Sequence, residues 1–544
     1  MPDFTRREIL AVVAIAAVVV AISAVPYLLG YLSATPDTEF GGFVIDLDDS
    51  YSHLAKMQQG VWDGWRYRIL FTPEEHPGAY LNTFYVALGK LSVLLHLSLI
   101  QTYQLARLTC GLALLVTSYA FLSLFLKSRE GRLVAYLLIC FSSGLGWLVL
   151  LTGSATLAGL SPIDFWLMDA YTFFAILTFP HLTAAMTLLV LLSLLAVWLV
   201  ESSRLWPLLV GSLALVGLVV IQPFAAALVD GILAVYWALL FLRRHRPPLR
   251  EALAFAVWAL VPLPLLAYYY KAFIGDPVFQ SWSAQNILPS PPFVHLLVGY
   301  GLVVLLAIWG MVHVIRHGGE RALLLIAWVG SALLLAYLPF ALQRRMVEGL
   351  HIPLCVLATI GLFEYALPAL MRMSWVQRLA AWRQYQAPGL RRLLLFSAVA
   401  LTVPSSLYLL LGSSLAAIHH DPSLYYGLGE TEAVDWLGSN TERTDTVLAS
   451  YAIGRLIPAR AGNRVFVGHF IETVEVERKR ELTALFFNSD TSDGFRQTLL
   501  SEYGIRYVFH GPRERQLGDF EPSTCECLLP AYRNSEVTIY RVDT

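Results

Sequence analysis

The sequence is short of charge. Asp, Glu, Lys and Arg make up 14% of its 544 residues, against about 25% in an ordinary soluble domain. Too little polar surface is available to cover several water-soluble globules, which excludes a conventional cytosolic enzyme and a disordered chain. A basic excess is also missing. Thirty-eight Lys and Arg stand against 39 Asp and Glu, so no cationic field exists to collect phosphates, and no nucleic-acid partner is expected. Five cysteines are too few for a disulfide scaffold. Two of them, Cys525 and Cys527, form a C-x-C pair, read here as free thiols because two ligands do not make a zinc site. No Walker loop, Gly-rich dinucleotide signature or nucleophile elbow occurs, and no repeat of fixed period is visible.

What the chain has is hydrophobicity: 57% of its residues are apolar and the mean hydropathy is +0.61. A bilayer span needs about 20 mostly apolar residues. Such runs fall near 9–32, 101–126, 132–152, 178–200, 205–222, 224–242, 251–270, 293–315, 321–341, 347–370 and 393–416. The stretch 77–97 is apolar too, but it opens with Pro77-Gly78 and carries Asn82 and Lys90. Lys and Arg collect on the cytoplasmic side of short loops. The basic connectors are Arg6-Arg7, 127–132, 201–204, 243–250, 316–321 and 372–392. All six share one side only if 77–97 stays out of the membrane as an outer juxtamembrane helix. The expectation is therefore an α-helical polytopic membrane protein with eleven spans, its amino terminus cytoplasmic.

From 418 the composition becomes charged. TVLAS (446–450), RVFVG (464–468), RYVFH (506–510) and EVTIYRV (536–542) read as strands, with helices over 429–437 and 472–487. This alternation predicts a small α/β domain with a largely parallel sheet. The expected division is 1–417, a transmembrane module, and 418–544, an extracytoplasmic domain.

The outer loops hold the polar residues that membrane anchoring leaves unexplained. DLDDSYSHLAKMQQG (46–60) places Asp46, Asp48 and Asp49 within four residues. Clustered carboxylates raise at least one pKa unless a cation compensates, which suits a general base or a divalent-metal ligand set. Helix capping accounts for one of the aspartates, less readily for three. Glu74-Glu75-His76-Pro77 follows, where a solvated loop is the plain alternative. Gln343-Arg344-Arg345, with Glu348 and His351, ends a later span. Arginine outside the cytoplasm runs against the usual bias and suits phosphate through its fork of donors; snorkelling to headgroups is the competing account. Asp164, Asp169, His181 and Gln222 complete the outer set, each as a local hydrogen-bonding residue or a substrate contact. Arg107 lies inside an apolar run and needs a partner, a carboxylate or a phosphate.

In order and spacing the first loop resembles the GT-C membrane glycosyltransferases of the protein O-mannosyltransferase and aminoarabinose-transferase type. In that family an acidic pair precedes an aromatic, an alanine, a methionine and a glycine; here these are Asp48, Asp49, Tyr51, Ala55, Met57 and Gly60. An acidic residue before a Pro-containing stretch is matched by Glu75-His76-Pro77-Gly78 and Tyr80, and an Arg-Leu pair opening a span by Arg107-Leu108. Two positions depart from the pattern: Asp49 replaces a glutamate and His76 a lysine.

The resemblance implies transfer of a sugar from a polyprenyl-phosphate donor to an acceptor hydroxyl on a glycan, lipid or protein, at the outer face. Phosphate leaves without a proton, so one carboxylate base on the acceptor suffices, with inversion expected. Asp48 is the expected base, with Asp49 or Glu75 as helper. Arg344 and Arg345 would hold the departing phosphate, or a divalent metal on Asp46, Asp48 and Asp49 would take part of that role. Asp46, His53, His76, Arg107, Asp169, His181 and His351 complete the expected substrate-binding set. The rival reading is a transporter, or a non-catalytic lipid-binding relative of the same fold. A transporter should show repeat halves and ionisable groups near mid-membrane, and beyond Arg107 only Asp230 is a candidate.

Overall fold

A computed structural model describes residues 4–202, 204–382 and 387–543. Ser203 and Arg383, which belong to two of the basic connectors, lie outside the described residues. Among the described residues, seven helices are long and apolar enough to cross a bilayer, the first being α1 (Arg6–Ser33). A bent pair, Pro388–Ala400 and Pro404–Ile418, makes an eighth if it is one span, with 51° between its halves. Pro404, which lacks an N–H and crowds the preceding turn, sits at that bend.

The expected count of eleven spans is not confirmed, and proline explains much of the difference between the apolar runs and the long helices. The run 205–222 becomes a helix of 16 residues, Trp206–Ile221, that stops at Gln222 before Pro223. The run 321–341 yields a 14-residue helix, Leu323–Ala336, that ends ahead of Pro339. The residue before a proline is pushed away from helical dihedrals. The run 132–152 breaks into Arg129–Phe141 and Gly146–Leu151 across Ser142–Leu145. At 1.5 Å per residue, a 14-residue helix covers about 21 Å, short of a hydrocarbon core of about 30 Å. The stretch 77–97 contains α3 (Thr83–Leu95), whose 13 residues are also too few to span.

The chain divides into two compact units. The first comprises 1–24, 107–266 and 288–412 and is a helical bundle. Its helices Phe293–His317 and His351–Gly361 touch backbone to backbone: a Cβ on Gly310 would lie 1.9 Å from the Leu357 carbonyl oxygen. Small residues permit such approaches in apolar surroundings.

The second unit comprises 25–106, 267–287 and 413–544. The segment set apart in the sequence as 418–544 is thus one part of a larger body that includes the first loop. Strand β1 (Thr38–Phe40) pairs antiparallel with β2 (Tyr425–Gly427). Helix α2 (Leu47–Trp62) packs on α3 so closely that a Cβ on Gly89 would lie 1.9 Å from the Met57 carbonyl oxygen. The tail folds into a five-stranded sheet of order β4-β3-β5-β7-β6. Its strands are β3 (Thr446–Leu448), β4 (Arg464–Val465), β5 (Ile505–His510), β6 (Leu528–Arg533) and β7 (Thr538–Val542). The β4-β3-β5 pairings are parallel, while β5-β7 and β7-β6 are antiparallel. The sheet is therefore mixed rather than largely parallel. β6, whose LLPAYR carries a proline and alternates poorly, escaped the sequence pattern. Phe466, Phe486, Phe487 and Val508 form its dry centre. Cys525 and Cys527, expected as free thiols, are joined in a disulfide; their Cα atoms stand 5.3 Å apart, inside the range a bridge accepts.

Candidate functional site

The triple aspartate lies where α2 begins. Asp46 occupies the N-cap position with a left-handed backbone (φ 47°), yet its side chain makes no capping hydrogen bond. Asp48 and Asp49 fall in the first helical turn, where the helix dipole favours negative charge. Capping therefore does not explain the three carboxylates.

Each of the two helical aspartates is held by the tail. Tyr451 Oη donates to Asp48 at 2.5 Å, and Arg455 Nη1 donates to the other oxygen at 3.2 Å. Burial pushes the Tyr451 phenol above its ordinary value, and Asp48 adds to the effect, so it acts as a neutral donor. Arg455 also donates to Tyr426 Oη at 3.2 Å. Asp49 meets His469 Nε2 at 3.2 Å. The backbone N–H groups of Ile471 and Glu472 both donate to Nδ1 of that ring, at 3.1 and 3.0 Å. A nitrogen that accepts two N–H groups carries no proton, so the imidazole proton sits on Nε2 and points at Asp49. The Asp48 and Asp49 side chains remain 22% and 30% exposed, enough to meet a substrate. Burial raises the Asp46 carboxyl to about 7, with Asp49 and Asp48 adding to the shift. Repulsion within the cluster thus makes Asp46 the carboxyl of the three that is most readily protonated as pH falls below 7.

Beneath this layer runs a buried network. Glu472 accepts from Ser52 Oγ at 2.7 Å, Lys56 Nζ at 2.9 Å and Tyr67 Oη at 2.6 Å. Burial pushes its carboxyl up, but the Lys56 charge, His469 and the hydrogen bonds outweigh it, and the group sits below its ordinary value. Gln285 Nε2 ties the same loop down by donating to the carbonyls of Ile471 and Thr473. Glu74 is paired with Lys479 at 2.6 and 2.8 Å. Glu75, by contrast, keeps 89% of its side chain exposed and faces Arg464 at 3.6 Å. His76 braces its loop: Nδ1 donates to the Glu74 carbonyl at 3.0 Å and Nε2 accepts from Ile69 N–H at 2.8 Å. Burial lowers its pKa, so it is the neutral form that fits. His53 is buried and stacked on Tyr85, ring centres 4.0 Å apart. Among the described residues no three His, Cys, Asp or Glu side chains converge as a metal-ligand set, because Asp48 and Asp49 are drawn toward different partners.

In the helical unit, Arg345 Nη1 donates to both oxygens of Asp169 at 2.9 and 2.8 Å. Beside them Glu348 is 1% exposed, and the Gln222 amide meets both its oxygens at 2.5 and 2.6 Å. Burial, then Asp169, pushes the Glu348 carboxyl well above the usual range. Arg344 lies over the Trp166 ring at 5.3 Å. His351 is a buried core histidine bonded to Ser142 Oγ at 2.8 Å and Thr172 Oγ1 at 3.0 Å. Arg107, 1% exposed, donates to Ser23 Oγ at 3.1 Å and to the Ile176 carbonyl at 2.9 Å. His181 sits in the first turn of Pro180–Glu201, against Phe179.

Sequence reasoning missed Tyr451, Arg455, His469, Glu472, Lys56 and Lys479. Tyr451, Arg455, His469 and Glu472 lie some 400 positions from the loop they serve, and no short-range signal marks them.

No protein-family model matches the chain, and no curated protein matches its sequence. Solved structures do share its architecture. An oligosaccharyltransferase from Archaeoglobus fulgidus, tethered with an acceptor peptide, superposes with a TM-score of 0.55 at 12% identity, covering 99% of this chain and 74% of that one. ArnT from Cupriavidus metallidurans, bound to undecaprenyl phosphate, gives 0.53 at 12% identity, over 96% and 97% of the two chains. The arabinofuranosyltransferase AftD from Mycobacteria gives 0.52 at 16%, over 100% of this chain and 40% of that one. Together with the acidic motif heading α2 and the long apolar helices, these likenesses show that the chain has the GT-C fold of the membrane glycosyltransferases.

Proposed function

We propose that this protein is a membrane glycosyltransferase that moves a sugar from a polyprenyl-phosphate donor to an acceptor hydroxyl at the outer face, with its amino terminus cytoplasmic. The observation that carries the reading is the oriented, partly exposed pair at the head of α2: Asp48 held by Tyr451 and Arg455, Asp49 by His469. The undecaprenyl phosphate on ArnT supports a polyprenyl-phosphate donor by likeness of fold, and the acceptor peptide on the archaeal enzyme supports an acceptor bound by a protein of this fold.

Asp48 is the base. It takes the acceptor hydroxyl proton as that oxygen forms its bond to the anomeric carbon, and the carrier phosphate leaves with the bonding pair, inverting the centre. Arg455 and Tyr451 fix its direction without neutralising it by proton transfer. Asp49, oriented by His469, is the helper. Arg344 serves the departing phosphate, with Arg345 ordering the same turn through Asp169.

The test is Asp48→Asn in the full chain, reconstituted in nanodiscs and supplied with a panel of polyprenyl-phosphate sugars. Transfer should fall by about 10²–10⁴, the usual worth of a general base, while melting temperature and undecaprenyl phosphate binding hold. Undiminished transfer would remove the assignment.

A further inference from the structure

The second unit carries a groove away from the acidic motif. Its larger chamber, about 830 Å³, lies at the leading ends of the three parallel strands β4, β3 and β5. Glu442, Asp445 and Glu502 line it, with Tyr503 and Arg506. A smaller chamber of about 280 Å³ shares Glu75, Thr444 and Arg464 with the first and reaches Gln59 and Trp62 near the end of α2. The two chambers adjoin across these shared residues. Arg464 sits at the joint, held by the Thr444 and Pro73 carbonyls. Gln59 lies eleven residues along α2 from Asp48, about 16 Å at the helical rise.

The two chambers differ in chemistry. The larger offers mostly carboxylates, which accept from hydroxyls or amines and repel acids. The smaller offers donors, and two of them lack acceptors: Nη1 of Arg443 and Nε1 of Trp62 are buried with no hydrogen-bond partner among the described residues. Both nitrogens lie beside Gly462, where a Cβ would stand 3.2 Å from Trp62 Nε1 and 3.4 Å from Arg443 Nη1. A buried donor without an acceptor is uncommon and asks for one. A ligand that both donates and accepts along its length satisfies both chambers; a simple cation or anion satisfies one.

We propose that this groove binds the acceptor: an extended, hydroxyl-rich glycan segment free of acid groups, gripped about 16 Å from the residue it is modified beside. The proposal rests on the glycosyltransferase reading and narrows its acceptor to a polymer, since a monosaccharide or a lipid headgroup would not reach from the groove to Asp48.

The experiment uses the full chain in nanodiscs without donor and measures direct binding of labelled neutral hexasaccharides (glucan, mannan and arabinan), hexagalacturonate and hexalysine. At least one neutral hexasaccharide should bind saturably, and hexagalacturonate should bind at least about tenfold more weakly, since like charges across an interface are penalised. Trp62→Phe, and separately Asp445→Lys with Glu502→Lys, should each weaken the neutral ligand by about tenfold at unchanged melting temperature. Equal binding of hexagalacturonate or hexalysine, binding of no neutral hexasaccharide, or indifference to both variants overturns the proposal. The same titration on Asp48→Asn should match the parent. Loss of transfer in that variant with no glycan binding in either sinks the groove alone. Glycan binding with undiminished transfer sinks the catalytic assignment alone.

Discussion

Buried polar groups serve different ends in the two units. In the helical unit Arg107, His351 and the Arg345–Asp169 pair meet hydroxyls, carbonyls or each other. Such pairings are what an apolar interior demands of any polar side chain, whatever the protein does. In the α/β-containing unit the buried groups are graded. Lys56, Glu472 and Tyr67 are closed off below, while Asp48 and Asp49 are oriented from one side and open on the other. A polar residue in a span is thus weak testimony to function, and an oriented carboxylate with one face open is stronger.

The largest expected break between the units is kinetic. Asp48→Asn should remove about 10²–10⁴ of transfer with little change in melting, whereas His351→Phe should lower stability and leave turnover per folded molecule within about threefold. Next comes Glu472→Gln. It strips Lys56 of its partner in a buried site, a change worth about 3–5 kcal/mol, read as a lower denaturation midpoint. Lys56→Met with Glu472→Leu should recover much of that loss, because neither charge is then left alone. In the helical unit Asp169→Ala should cost a similar or smaller amount. A variant at 344 that weakens undecaprenyl phosphate binding without lowering the melting temperature separates ligand contact from structure.

A further effect is a pH dependence. Asp46 has a folded pKa raised to about 7 from an ordinary 3.8, so between those values the folded state binds more protons than the unfolded one. Stability from this group is present below pH 4 and lost as pH rises through 7. Asp46→Asn should therefore raise the melting temperature at pH 8 relative to pH 5, flattening the profile. A parallel shift at both values would contradict the buried environment.

Much of this was legible in the chain. Membrane insertion followed from composition, and four of the seven strands, with the tail helices following 427 and 475, from local pattern. The acidic motif was visible because its three carboxylates are adjacent. Three of the apolar runs fall short of long helices at Pro223, Pro339 and the break at Ser142–Leu145, since hydropathy counts apolar residues and does not register where a helix ends. Arg345 invited a phosphate, but its bond from Nη1 to both Asp169 oxygens depends on a residue 176 positions away. Glu74 and Glu75 look alike in sequence; Lys479 takes one into the interior and leaves the other in solvent.

The sequence by itself determined that this chain is apolar, helical and membrane-bound, with a charged α/β tail and an acidic cluster after its first long helix. Those properties depend on composition and on neighbours within a few residues, where hydrophobic period and helix propensity act. Tertiary structure alone decided that Tyr451, Arg455 and His469 hold that cluster, and that burial raises the Asp46 carboxyl. Hydrogen bonds and charge interactions fall off within a few ångströms, so only the folded chain brings residues 48 and 455 near enough to act on each other.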